Sequence, residues 1–182
     1  MNAEKLISNG AGALIAVAAL GAAAQLSISL PESISVAPIT GQTLAVLLIA
    51  HLLKETWGTL AIGIYITIGI LGAPVFAGFK GGWDKFSGPS LGYFIGFIVA
   101  AIVCGLLARK QEERFKFYLL QMLIGSLLIL LCGWLGIFRY LDANTAFAKG
   151  VLPFLPGALI KITIGAILLS VIRRFKSFMK AV

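Results

Sequence analysis

Five stretches of this chain contain no charged side chain at all: residues 6–31, 33–53, 56–79, 86–108 and 117–138. A sixth, residues 150–172, is broken only by Lys161. A helix needs about 20 apolar residues to cross the hydrocarbon core of a bilayer, so each window fits one crossing. Charged residues make up 12% of the 182, against about a quarter in soluble domains. That pattern excludes an ordinary soluble enzyme, a disordered chain and a secreted disulfide scaffold. It also argues against a β-barrel, whose strands alternate apolar with polar residues. The expected fold is all-α: a polytopic membrane protein with six transmembrane helices, at approximately 8–30, 40–53, 57–71, 89–108, 117–138 and 153–172. Six spans take about 120 positions. The loops are then short, no soluble domain fits beside the bundle, and residues 1–182 read as one unit.

A net charge of +8 could suggest nucleic acid. The basic residues fall instead in short loops, as they do when Lys and Arg collect on the cytoplasmic side. With six crossings both termini share a side. Lys5, Lys54, Arg109, Lys110, Arg114, Lys116, Arg173, Arg174, Lys176 and Lys180 gather there, ten in all. Lys80, Lys85, Arg139, Lys149 and Lys161 make five on the other side. The asymmetry puts both termini in the cytoplasm and leaves no role for nucleic acid. The first window imitates a secretory signal, with Lys5, an Ala-rich run and Ala22-Ala23-Ala24. Its length favours a retained span.

Small residues recur at spacing four in span 1: Gly12 with Ala16, Ala18 with Ala22, Ala19 with Ala23. That spacing lets another helix approach closely in lipid, either within the bundle or from another subunit. Gly88, Gly92 and Gly96 repeat it at span 4. Spans 2 and 3 are separated only by Lys54-Glu55 and form a tight cytoplasmic hairpin. Both look short as helices, so apolar non-helical chain buried in protein should complete their outer ends. The segment 73–89 holds four glycines, two prolines and four aromatics. It suits a lid over an apolar ligand, or a loop folded back into the bundle.

Much chemistry is absent from the sequence. There is no P-loop pattern and no His-Glu-x-x-His pattern. His51, the single histidine, sits near the end of span 2 and reads as an interfacial residue. Cys104 and Cys132 give neither a metal spacing nor a disulfide framework. No carboxylate lies inside a window, which removes the acid–base pair of a membrane enzyme and the relay of a proton-coupled carrier. The expected chain is therefore no enzyme and carries no metal or cofactor. Lys161 remains. A lysine near the centre of a span costs about 3 kcal/mol. It either snorkels to the outer interface or forms the floor of an outward cavity, where it would attract an anionic or carbonyl-bearing solute.

The run Pro38-Ile39-Thr40-Gly41-Gln42-Thr43-Leu44-Ala45-Val46-Leu47-Leu48 resembles the hallmark segment of the BioY family, the biotin-binding subunits of energy-coupling-factor transporters. Gly72-Ala73-Pro74-Val75-Phe76-Ala77-Gly78 and Gly88-Pro89-Ser90-Leu91-Gly92-Tyr93 look like its second signature. Leu152-Pro153-Phe154-Leu155-Pro156-Gly157, followed by Lys161, looks like its third. The resemblance implies a six-helix subunit of the cytoplasmic membrane that captures biotin from outside. Its partners would be a transmembrane coupling protein and two cytoplasmic ATPases. Docking would use the small residues of span 1: Gly12, Ala16, Ala18, Ala19, Ala22 and Ala23. Thr40, Gln42, Lys80, Tyr93 and Lys161 are the implied polar contacts to biotin, and Phe76, Phe79 and Trp83 its walls or lid. Family members commonly carry an acid three residues before the lysine, and here that position is Ala158. The alternatives are a subunit for another small vitamin, a membrane-embedded enzyme, or an assembly protein with no cavity.

Overall fold

The computed structural model describes residues 3–110 and 114–181. Its helices are α1 (Ala3–Gln25), α2 (Gln42–Ile70), the short α3 (Trp83–Ser87), α4 (Leu91–Leu107), α5 (Phe115–Ile137), α6 (Ala143–Gly150) and α7 (Leu155–Ala181). Among the described residues, five helical stretches are long and apolar enough to cross a membrane. Among the described residues the strands are two residues each: β1 (Ser27–Ile28) pairs antiparallel with β2 (Ile39–Thr40), Ser27 opposite Thr40.

α2 is continuous in name only. Lys54 leaves helical geometry, with φ 60° and ψ −175°. The chain reverses there: a Cβ on Gly58 would stand 3.2 Å from Ala50 Cα, and at the other end Gln42 donates to Tyr65. Residues 42–53 and 55–70 thus form an antiparallel helical hairpin with almost no loop. Gly105 of α4 closes it. A Cβ at Gly105 would fall 2.3 Å from Glu55 N, so only glycine lets α4 lie against that turn. An Arg109–Glu55 ion pair ties the same end together.

Helix α4 sits between α2 and α5. Its contact with α5 is backbone against backbone: a Cβ on Gly92 would be 2.2 Å from Cys132 O, and one on Gly136 2.6 Å from Gly92 Cα. Gly96 packs the same way on Ile129. Lipid tails give helices no hydrophobic drive to associate, so such close van der Waals contact holds them together. Gln121, buried in α5, donates Nε2 to Cys104 O and meets His51 Nδ1 at 2.6 Å. His51 also lies edge-on to Tyr118, 5.2 Å between ring centroids. It is thus built into the packing of α2 on α5.

The observed elements depart from the expected spans in three places. α1 stops at Gln25 rather than near Leu30, because Ser27–Ile28 leave the helix to pair with β2. The connection between α5 and α7, expected as a loop, contains α6. Asp142 caps it by accepting from Asn144 N and Thr145 N, both at 3.1 Å. Hydrogen bonding by Thr145 and Asn144 holds that carboxyl below the usual range. α7 begins at Leu155, two residues after the expected start of the sixth span. Between α4 and α5, residues 111–113 lie outside the described set, as do the side chains of Lys5, Lys176 and Lys180.

Candidate ligand-binding site

At the end of the bundle where β1, β2 and α3 lie, a cavity of about 330 Å³ opens between α2, α4, α5 and α7. Its size suits a small metabolite. Its apolar walls include Phe76, Phe94, Phe97, Ile129, Leu130 and Phe154. Three lysines line it, Lys80, Lys85 and Lys161, against one carboxylate, Asp84. The lining is therefore net cationic, and it favours a solute with an anionic or carbonyl group.

Lys161 stands six residues into α7, about 9 Å below its start at 1.5 Å per residue. It turns inward. Its Nζ donates to Thr40 O at 2.6 Å and to Thr43 Oγ1 at 3.0 Å, both on the chain entering α2. An ammonium has three donors. Two meet neutral acceptors of the protein, and the group lines the cavity. Among the described residues no carboxylate pairs with it, and Ala158 beside it adds only a methyl group.

Thr40 and Gln42 line the cavity too, but their polar atoms are largely spent on each other. Thr40 Oγ1 donates to Gln42 Oε1 at 2.9 Å, and Gln42 Nε2 donates to Tyr65 OH at 2.7 Å. Tyr65 passes the chain on to Val75 O at 2.9 Å. This relay joins the start of α2 to the loop that carries Phe76. Tyr93 donates its hydroxyl to Gly150 O, so its ring rather than its oxygen forms wall, tilted on Phe154 at 5.4 Å.

The loop after α2 sorts its aromatics. Phe76 is 4% exposed and stacks on Phe94 at 4.7 Å and edge-on to Tyr65 at 5.8 Å. Gly69 makes room, since a Cβ there would enter the Phe76 ring. Phe79 and Trp83 are 71% and 62% exposed and stand outside the cavity lining. Gln25 sets this division. Its Nε2 donates to Phe76 O at 3.2 Å, and its Oε1 accepts from Phe79 N at 2.9 Å. Those bonds hold a tight Phe76–Lys80 turn with φ positive at Gly78 and Phe79. Ring 76 points in and ring 79 points out.

The α1 candidates divide between two faces. Gly12 and Ala16 face the bundle, Gly12 against Leu53. Ala23 is half-buried over Gly41. Ala18, Ala19 and Ala22 face outward. Six residues are about 240° around a helix, so the Gly12–Ala16 pair and the Ala18–Ala22 pair cannot share a face. Sequence reasoning did not single out Ser126, Asp84, Lys85, Phe94 or Phe97 for the cavity. Phe94 and Phe97 carried a helical spacing, but that spacing marks core and cavity wall alike.

A family model described as BioY family matches residues 2–178. This chain belongs to the BioY family. The biotin transporter BioY of Thermotoga maritima is 40% identical over 132 residues, 72% of this chain and 78% of its own. The probable biotin transporter BioY of Pyrococcus horikoshii is 40% identical over 145 residues, 80% and 83% of the two chains. The fold is similar to a crystal structure of the S-component for biotin from an ECF-type ABC transporter. The TM-score is 0.85 over 96% of this chain and 95% of that one, at 22% identity. In this BioY chain each of the segments that carry the resemblance reaches the cavity: Thr40 and Gln42 from the first, Phe76 and Tyr93 from the second, Phe154 and then Lys161 from the third.

Proposed function

We propose that this multi-pass membrane protein captures biotin in the cavity around Lys161 and serves as the substrate-binding subunit of a biotin transporter. The observation that carries the reading is Lys161 itself. It is a cation inside a span, turned into an aromatic-walled cavity, with one donor left for a ligand. Biotin matches that lining in parts. Its neutral cyclic urea offers a carbonyl to Lys161, its thioether ring suits Phe76, Phe94 and Phe154, and its carboxylate suits Lys80 and Lys85 at the mouth. The charged end belongs at the mouth because burying a carboxylate costs far more than burying a urea that is hydrogen-bonded. The names of the BioY relatives support the same ligand.

The finer reading is six crossings, counting the two halves of α2 separately, with both termini in the cytoplasm and the cavity opening outward. The protein lies in the cytoplasmic membrane and acts by binding and delivery rather than catalysis. A transmembrane coupling protein and two ATPases supply the work, and the outward small residues Ala18, Ala19 and Ala22 are the docking face on α1. The test is equilibrium binding of radiolabelled biotin to the purified protein, with and without excess unlabelled biotin. Saturable, competed binding is expected. Its absence overturns the reading.

A further inference from the structure

Ser126 is the polar side chain that α5 contributes to the cavity, beside Ile129 and Leu130. It is buried and stands eleven residues before the end of α5 at Ile137, which places it about 16 Å deep at 1.5 Å per residue. By the same measure Lys161 is shallower. A hydroxyl inside a helix usually turns back to the carbonyl four residues earlier. Thr67, Thr163 and Ser170 do so here, at 2.8, 3.1 and 2.9 Å. Ser126 does not. Among the described residues its hydroxyl has no hydrogen-bond partner, and the residue lines the cavity together with Phe97, Ile129 and Leu130. A hydroxyl that the protein leaves free is open to a partner that an entering molecule brings.

We infer that Ser126 is a specificity-determining contact, whose hydroxyl oxygen accepts a hydrogen bond from a ring N–H of the bound ligand's cyclic urea. This rests on the reading of the cavity as a biotin site. The division of labour follows from donor and acceptor types. Lys161 can only donate, so its remaining hydrogen meets the urea carbonyl. The urea N–H groups need acceptors. Thr40, Gln42 and Tyr93 already spend theirs or their hydroxyls within the protein. Asp84 is exposed on α3 at the mouth. Thr43 Oγ1 already accepts from Lys161, and Ser126 is a side-chain acceptor at depth that no other group among the described residues engages. Ala158 offers no acceptor there.

The test titrates biotin and its two mono-N-methyl analogues, each lacking one urea N–H, against the unaltered protein and Ser126→Ala. The variant should weaken biotin binding about 5- to 10-fold, the loss of one neutral hydrogen bond. One methyl analogue should lose affinity on the unaltered protein, and that loss should shrink on Ser126→Ala. Equal biotin affinity for the two proteins overturns the inference. So does tolerance of both methyl groups by the unaltered protein, a result that needs no variant. Absence of any saturable biotin binding to the unaltered protein instead overturns the biotin reading, and this inference falls with it.

Discussion

Replacing Lys161 by methionine keeps the length and apolar stem of the side chain and removes its charge. In the folded protein the ammonium gives two hydrogen bonds to the start of α2, at 2.6 and 3.0 Å, and holds one donor for the ligand. A hydrogen bond from a charged group contributes about 1.5–3 kcal/mol, so biotin affinity should fall roughly 10- to 150-fold. The empty protein should respond differently. It loses the bonds to Thr40 and Thr43, but it also loses an intramembrane charge that costs about 2.5–3.5 kcal/mol on insertion scales. The two terms oppose each other, and the unfolding midpoint without ligand should shift little. Ligand-induced stabilisation separates the terms. At biotin 100-fold above Kd the unaltered protein gains about 2.7 kcal/mol, and a 100-fold weaker variant at the same concentration gains about 0.4 kcal/mol. Thermal unfolding in detergent, with and without biotin, reads both effects. A variant whose biotin Kd stays within twofold of the original refutes the assignment of the third donor to the ligand.

Three further outcomes follow from the same geometry. Tyr65→Phe removes the acceptor of Gln42 Nε2 and the donor to Val75 O, and it should lower stability by about 1–3 kcal/mol; unchanged thermal unfolding counts against the relay. Ala18→Leu combined with Ala22→Leu enlarges an outward face of α1; biotin binding to the isolated protein should persist while uptake in cells is lost, and normal uptake removes α1 as the docking face. Hydrogen bonds from Thr145 and Asn144 depress the Asp142 carboxyl; the cap should hold above the ordinary aspartate pKa and fail as pH falls through the depressed value. The protection of the Asn144 and Thr145 amides, measured against their intrinsic exchange rate at each pH, should therefore fall on acidification, and Asp142→Asn should remove that dependence.

Charge patterning carried the helical fold because a bilayer makes the requirement coarse: about 20 residues without a charge, wherever they stand. It could not show that α1 ends at Gln25, since the residues that leave the helix for β1 are as apolar as those that stay. Nor could it choose among Phe76, Phe79 and Trp83. Four aromatics in one loop are equivalent in sequence, and Gln25, fifty-one residues before Phe76, decides which ring turns in. The α1 stripe had a matching ambiguity, because spacing four is satisfied by two faces and only packing tells them apart. Lys161 was legible for the opposite reason, as a charge where none is cheap. Ser126 was not, because a serine is common in a span and only its missing back-bond distinguishes it.

The helical hairpin of α2 has a further consequence for where binding can occur at all. Its halves hold twelve and sixteen helical residues on either side of Lys54, about 18 and 24 Å of helix. A hydrocarbon core is about 30 Å thick. Neither half is long enough to span such a core alone, and the 35–41 and 71–80 segments continue them on the side away from Lys54. The cavity occupies that shortfall. Room for a ligand is made by ending two helices early rather than by hollowing a bundle of full-length ones, and the start of the first half lines the cavity directly through Gln42 and Thr43. Extending the first half by a turn at its start would put backbone where Pro38 and Thr40 now line the cavity.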